Sequence, residues 1–150
     1  SKIRIYHLGK AHSLKWKIMA NKEVEENSRY NWLGSVPRWR VRKEFKKTHL
    51  MIISSHQEGG ANVISEAIIA NVPVIASDIA GNKGLLGENY PGYFREGDEH
   101  SLAKLLTQAE MDQHFLLHLL AACKKLKKRF LPKKEILAWN ILIKNITKSE

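Results

Sequence analysis

Along Ile3-Arg4-Ile5-Tyr6-His7-Leu8, apolar and polar residues alternate up to Gly9, the pattern of a strand closing on a turn. Ser13 is placed to cap a helix running to about Asn27, with Leu14, Ile18 and Val24 on its apolar side. Arg29-Tyr30-Asn31-Trp32-Leu33, ended by Gly34, predicts a second strand, and Val36-Pro37 opens a short basic helix from Arg38 to Lys47. His49 to Ser54 is apolar nearly throughout, as a central strand covered on both faces would be. The helix expected after Gly60 gathers Val63, Ile64, Ala67, Ile68 and Ala70 on one broad face, and Asn71 suits a left-handed C-cap. Val72 to Ser77 is the fourth strand. Ala80 to Gly84 reads as a loop, with Leu85-Leu86-Gly87 as one short helical turn. Pro91-Gly92-Tyr93-Phe94 gives a turn and a short fifth strand. Asp98 or Ser101 can cap a helix holding Leu102, Leu105 and Leu106. A long helix follows from about Met111 to Phe130, Pro132 breaks it, and a last helix holds Ile136, Trp139, Ile143 and Ile146. Strands alternating with helices argue for an α/β fold: a parallel sheet of about five strands with helices on both faces.

In such a sheet ligands bind beyond the carboxyl ends of the strands. Four segments leave those ends: Gly9–Ser13, Gly34–Pro37, Ser55–Gly60 and Ser77–Gly84. Each carries glycine or small polar residues, which let backbone N–H groups approach a ligand and are also ordinary turn chemistry. The stretch from Met51 to Asp78 is more pointed. A strand ends in a loop with Glu58, Gly59 and Gly60, and Glu66 follows inside the next helix among Ile64, Ala67 and Ile68. Glycine at a helix start exposes N–H groups to a phosphate. Two nearby carboxylates can hold sugar hydroxyls, so the segment has the chemistry of a nucleotide-sugar site. Glu66 on a solvated helix stripe is the alternative.

The 150 residues suffice for one domain with a core, and no apolar run approaches the roughly 20 residues of a membrane span. Ser1-Lys2-Ile3 leads straight into a strand-like run without a signal-peptide pattern. A start at Ser rather than Met suggests a piece of a longer chain, although removal of an initiator Met would look the same. The one cysteine, Cys123, excludes an internal disulfide and is expected as a buried packing residue. No metal cluster is visible, because the seven histidines are scattered. The net charge of +10 gathers in two places: Arg38, Arg40, Arg42, Lys43, Lys46 and Lys47, and Lys124, Lys125, Lys127, Lys128, Arg129, Lys133 and Lys134. Such clusters attract phosphates, nucleic acid or anionic lipid, or are simply solvated helix faces.

Residues 58–66, EGGANVISE, with Ala67 next and then Asn71-Val72-Pro73-Val74-Ile75-Ala76, resemble the E-x7-E signature and G-x-P-V-I-A run of family 4 (group 1) retaining glycosyltransferases. The resemblance covers nearly the whole chain. It implies a Rossmann-like three-layer α/β/α domain, the C-terminal donor-binding half of a GT-B architecture. It further implies that the N-terminal acceptor domain and the first strand of this half, with its cations for the pyrophosphate, would precede Ser1. Lys83 and the Arg38 cluster are the substitutes at hand for those cations, and the reading does not rest on them. GGANVISEA together with GLLGENYPGYF at Gly84 to Phe94 is similar to glycosyltransferases grouped with selenosugar synthases, which join a UDP-activated amino sugar to selenophosphate. The chain departs from the family pattern at Gly59-Gly60-Ala61 for Gly-Phe-Gly, at Asn71 for Gly, and at Ser54-Ser55 for Pro-Ser.

The resemblance implies roles. Glu58, the candidate catalytic residue, would face the donor sugar. Glu66 would hold the ribose. Gly59, Gly60 and Ala61 would lie under the sugar and pyrophosphate. Asn62 and Val63 would give N–H groups at the helix start, and Gly34, Ser35 and Val36 would lie near the base. The reaction implied is transfer of a sugar, UDP-linked, with retained configuration. No metal or other cofactor is expected, the nucleotide-sugar being a substrate. The expected partners are that donor, the N-terminal acceptor domain, a membrane surface through the basic clusters, and further copies of the chain through surface left by the missing half. The expected location is the cytoplasm, peripheral at the membrane, and the fragment alone is expected to be inactive. Two other readings stand beside this one: a basic module for nucleic acid or anionic surfaces, and a sugar-nucleotide sensor without catalysis. Nucleic acid is disfavoured, since no RNA-recognition aromatic signature or helix-turn-helix pattern is present.

Overall fold

Five parallel strands, the first four each followed by a helix and the fifth by two, are found among the described residues of a computed structural model, which are 1–130 and, beyond them, 136, 139–141, 143 and 144. The chain forms two compact units, Ser1–Lys47 and Thr48–Glu150.

In the first unit, β1 (Ile5–Leu8) pairs in parallel with β2 (Tyr30–Gly34), Ile5 opposite Tyr30 and His7 opposite Trp32, with an irregularity before Leu8. The Trp32 indole N–H donates to the Gly9 carbonyl at 3.0 Å and ties the two strand ends together. Between the strands runs α1 (Leu14–Glu26). Ser13 caps it by accepting from Trp16 N–H, as the sequence predicts. Its expected apolar side is not buried: Leu14 is 72% exposed, Ile18 59% and Val24 42%. The spacing marks a face suited to burial, but a two-stranded sheet offers too little surface to cover it. After β2 comes α2 (Arg38–Phe45), entered through Pro37, with Phe45 its buried residue.

In the second unit the sheet order is β3-β4-β5, with β3 (Met51–Ile53), β4 (Val74–Ser77) and β5 (Tyr93–Phe94). All four residues of β4 are buried, as the middle strand of the sheet requires. The sequence reading gives the central place to the Met51 segment, but β3 is an edge of its sheet. The expected single sheet is likewise divided, two strands and three. Apolar patterning reports that a segment is a strand, not which neighbour it takes.

The β3–β4 crossover is α3 (Asn62–Ile69). It buries Ile64, Ala67 and Ile68, while Val63 is half-buried and Ala70 exposed. Asn71 ends it at φ 60°, the left-handed geometry foreseen for it. The expected loop over Ala80–Gly84 is instead helical, part of α4 (Ala80–Leu86), which buries Asn82 and Leu86. Asp98 accepts from Ser101 N–H to cap α5 (Glu99–Met111), and Asp112 caps α6 (Gln113–Lys127), followed by a 3-10 turn at Lys128–Phe130. The long helix therefore starts at Gln113, and Met111 closes the one before.

The core of this unit joins α3, β4 and α6 through Ile64, Ile68, Val74, Ile75, Leu119 and Cys123, all essentially without solvent contact. The Tyr90 hydroxyl donates to the Val74 carbonyl and accepts from Val74 N–H at 3.3 Å, with the Cys123 thiol 3.3 Å away. Cys123 is thus the packing residue expected. A Cβ at Gly92 would lie 2.6 Å from the Val74 carbonyl oxygen, so β5 can reach β4 only with glycine there. Pro132 and Ile146 lie outside the described residues, whereas Ile136, Trp139 and Ile143 are helical and exposed.

Candidate functional site

The loop after β3 is bonded to the end of β4 by a short chain of side chains. Asn82 Nδ2 donates to the Ser77 carbonyl at 2.9 Å and to Ser77 Oγ at 3.1 Å. Ser77 Oγ donates to the Ser55 carbonyl at 2.6 Å, and Ser55 Oγ donates to Glu58 Oε1 at 2.8 Å. Ser77 and Asn82 are the buried polar side chains of this unit's core. A polar group buried there is costly to leave unbonded, so the bonds running from Asn82 to Glu58 fix where the carboxylate sits. Asn82 Oδ1 is buried without a hydrogen-bond partner among the described residues. Gly81 approaches from α4, and any Cβ on it would collide with the Glu58 backbone carbonyl.

Above this floor lies a cleft of 390 Å³ lined by His56, Glu58, Asp78, Gly81 and Glu96, among others. His56 Nδ1 is 2.9 Å from Glu96 Oε1. Lys83 Nζ is 2.8 Å from Asp78 Oδ1 and 3.5 Å from Glu88. The hydrogen bond to Asp78 raises the Lys83 ammonium above its ordinary value, so it stays charged. Three carboxylates around one opening make it a place for hydrogen-bond donors such as hydroxyls. A bare anion would be repelled there.

The loop runs on through Gly59 and Gly60 to the start of α3. Gly60 has φ +117°, open to glycine and strained for other residues. Ala61 is the N-cap and contributes no side-chain cap, so the first N–H groups of α3, at Asn62 and Val63, are left to a ligand or solvent. Glu66 stands one turn further along α3, half-buried, and is not among the residues lining the cleft. Glu58, Gly59, Gly60, Ala61, Asn62, Val63 and Glu66 thus follow one strand-to-helix passage of the second unit. Gly34, at φ +66°, with Ser35 and Val36, leaves β2 in the first unit.

The sequence reading has Asp78, Gly81, Asn82 and His56 only as members of the segments Ser77–Gly84 and Ser55–Gly60, with no role of their own, and it does not include Glu96. Ser77-Asp78 at a strand end was the available signal for the first. Nothing in the sequence links His56 to Glu96 across 40 positions.

Among the described residues no group of three or more His, Cys, Asp and Glu side chains is placed to hold a metal ion. Nor is any helix there long and apolar enough to cross a membrane.

Parallel strands joined by helices, with a glycine-bearing loop at a strand end, define a Rossmann-like α/β fold. Residues 8–130 match the family of glycosyl transferases group 1, and the chain belongs to it. TuaC of Bacillus subtilis (strain 168), whose name assigns it to teichuronic acid biosynthesis as a glycosyltransferase, is 31% identical over 80 residues, covering 53% of this chain and 21% of its own length. The crystal structure of Anabaena Alr3699/HepE with UDP-glucose superposes with a TM-score of 0.77 at 19% identity, over 99% of this chain and 42% of that one. Sucrose-phosphate synthase of Thermosynechococcus elongatus gives a TM-score of 0.80 at 15% identity, over 98% of this chain and 39% of that one. The chain therefore spans less than half the length of each of these relatives.

Proposed function

We propose that the chain is the donor-binding domain of a glycosyltransferase, holding a nucleoside-diphosphate sugar where β3 passes into α3. The observation that carries the reading is the bonded chain Asn82–Ser77–Ser55–Glu58, which fixes a carboxylate at the mouth of an acid-lined cleft beside an uncapped helix start. Charge sorts the ligand's parts. The diphosphate would be repelled by Glu58 and Glu96, Asp78 being paired with Lys83, so it lies toward the N–H groups of Asn62 and Val63. The sugar hydroxyls suit the cleft. Ser55 takes one Glu58 oxygen, and the other is the acceptor for a sugar hydroxyl. Glu66, one turn along α3, accepts from the ribose. The donor is UDP-linked, as in Anabaena Alr3699/HepE.

In the reaction the bond from the anomeric carbon to the diphosphate oxygen breaks, and its electron pair leaves with the phosphate. Helix-start N–H groups stabilise that developing charge, and the fixed Glu58 carboxylate favours the electron-poor sugar carbon. Glu58 is not a nucleophile in this scheme. The acceptor hydroxyl, held by a domain outside this chain, enters on the face the diphosphate leaves and gives its proton to the departing diphosphate oxygen, so configuration is retained.

Isothermal titration of the chain with UDP and with UDP-sugars tests the proposal. Binding that weakens in Glu66→Ala is expected. Equal binding by that variant, or none by the unaltered chain, would overturn it.

A further inference from the structure

The first unit carries a surface that the donor site does not use. On α2 and its C-cap the residues Trp39, Arg42, Lys43 and Lys46 recur at i, i+3, i+4 and i+7, and all four are exposed. That spacing places them in one stripe along the helix. Trp39 is 64% exposed, an unusual position for the largest apolar side chain. The helix has one acidic residue, Glu44, which is turned to the other side, half-buried and held by Arg40 at 2.8 Å. The stripe therefore starts with an indole and is cationic from there on, and Lys47 extends it past the helix end.

We infer that the Trp39–Lys46 face of α2 docks this protein on an anionic lipid bilayer. An indole is apolar in its body and polar at its N–H, which suits the boundary between headgroups and acyl chains. Lysine and arginine beside it meet the lipid phosphates while their stems lie along the apolar boundary. An exposed stripe on one helix meets a plane along its length. Single-stranded nucleic acid is instead held along a groove with aromatics spaced for successive bases. Charge complementarity and a single exposed indole thus favour lipid over RNA. The face lies in the first unit, so the inference stands whether or not the second unit holds a nucleotide-sugar.

The test is flotation of the whole chain with phosphatidylcholine vesicles, with and without about one-third phosphatidylglycerol, at low salt and at about 1 M salt, where screening shortens to about 3 Å. Binding is expected only to the anionic vesicles at low salt. Replacing Arg42, Lys43 and Lys46 together by Ser should weaken it roughly a hundredfold, at about fivefold for each basic residue. Trp39→Ala should weaken it with no change in net charge. Replacing Lys124, Lys125 and Lys128 by Ser removes equal charge from α6 and its end, and should cost much less. Equal loss in the two triple variants, or full binding by Trp39→Ala, would overturn the inference. So would binding of a single-stranded RNA oligonucleotide with no binding to vesicles. Circular dichroism of each variant separates loss of docking from loss of fold, and the exposed positions leave the core untouched.

Discussion

Gly81 passes so close to Glu58 that no side chain fits between them: a Cβ on Gly81 would run into the Glu58 carbonyl oxygen and carbon. The helix that carries Gly81 and the loop that carries Glu58 are therefore fitted at backbone level. Gly81→Ala gains about 1 kcal/mol of helix propensity but forces backbone apart, which costs about 1–3 kcal/mol. The clash outweighs the gain in propensity. A lower urea midpoint is expected, with the advantage of UDP-sugar over UDP reduced by displacement of Glu58. An unchanged midpoint would show that the loop yields freely.

The two acids are expected to act on different parts of the donor, and titration can tell them apart. Glu58→Gln keeps the shape and removes the charge, so UDP should bind as before while a UDP-sugar loses its extra affinity. Glu66→Ala should weaken both ligands by about ten- to a hundredfold, the worth of hydrogen bonds to a charged acceptor. If the two variants give the same pattern, the division of labour is wrong.

Asn82 gives a test of the floor beneath the loop. Its amide donates to Ser77 from a position with no solvent contact. Asn82→Asp turns that donor into a carboxylate facing the Ser77 carbonyl, and an uncompensated buried charge costs about 3–5 kcal/mol. Burial would raise the new group's folded pKa above its unfolded value. The loss should then be absent below the unfolded pKa near about 4 and grow as pH rises through the folded one. Denaturant midpoints of the variant at about pH 4 and about pH 7 should diverge in that sense. A midpoint deficit of the same size at both values would contradict the buried position.

Local chemistry was legible in the chain where a residue acts on its own backbone. Ser13 and Asp98 cap helices, Asn71 takes the left-handed bend, and the strand-to-helix passage from Glu58 to Glu66 lies where an apolar run and glycine put it. What propensity hides is decided by packing. Two glycines make Ala80–Gly84 look like a loop, yet Asn82 bonded to Ser77 and Leu86 in the core hold Ala80–Leu86 helical. Contacts between distant segments left no local mark. His56 with Glu96, the floor from Asn82 to Glu58, and the splitting of five strands into sheets of two and three all depend on which elements meet.

Two phenols should make the second unit sensitive to base. Burial, with the charges of Asp78 and Glu88, pushes the Tyr93 hydroxyl up to about 12, and burial pushes Tyr90 up as well. Tyr93 donates to the Gly87 carbonyl at 2.9 Å and Tyr90 to the Val74 carbonyl, so the fold holds both in the neutral form. In the unfolded chain each ionises near about pH 10. Their contribution is whole below that value and is lost as pH rises through the folded pKa, because unfolding there releases protons. Urea midpoints measured at about pH 8 and about pH 11 should fall, and fall less in Tyr93→Phe, which has no proton to release. Tyr90→Phe should already be weaker at the lower pH. It leaves the Val74 carbonyl without that bond, at a cost of about 1–3 kcal/mol, and its deficit should narrow at the higher pH. Parallel curves for all three proteins would mean that neither phenol is held neutral by the fold.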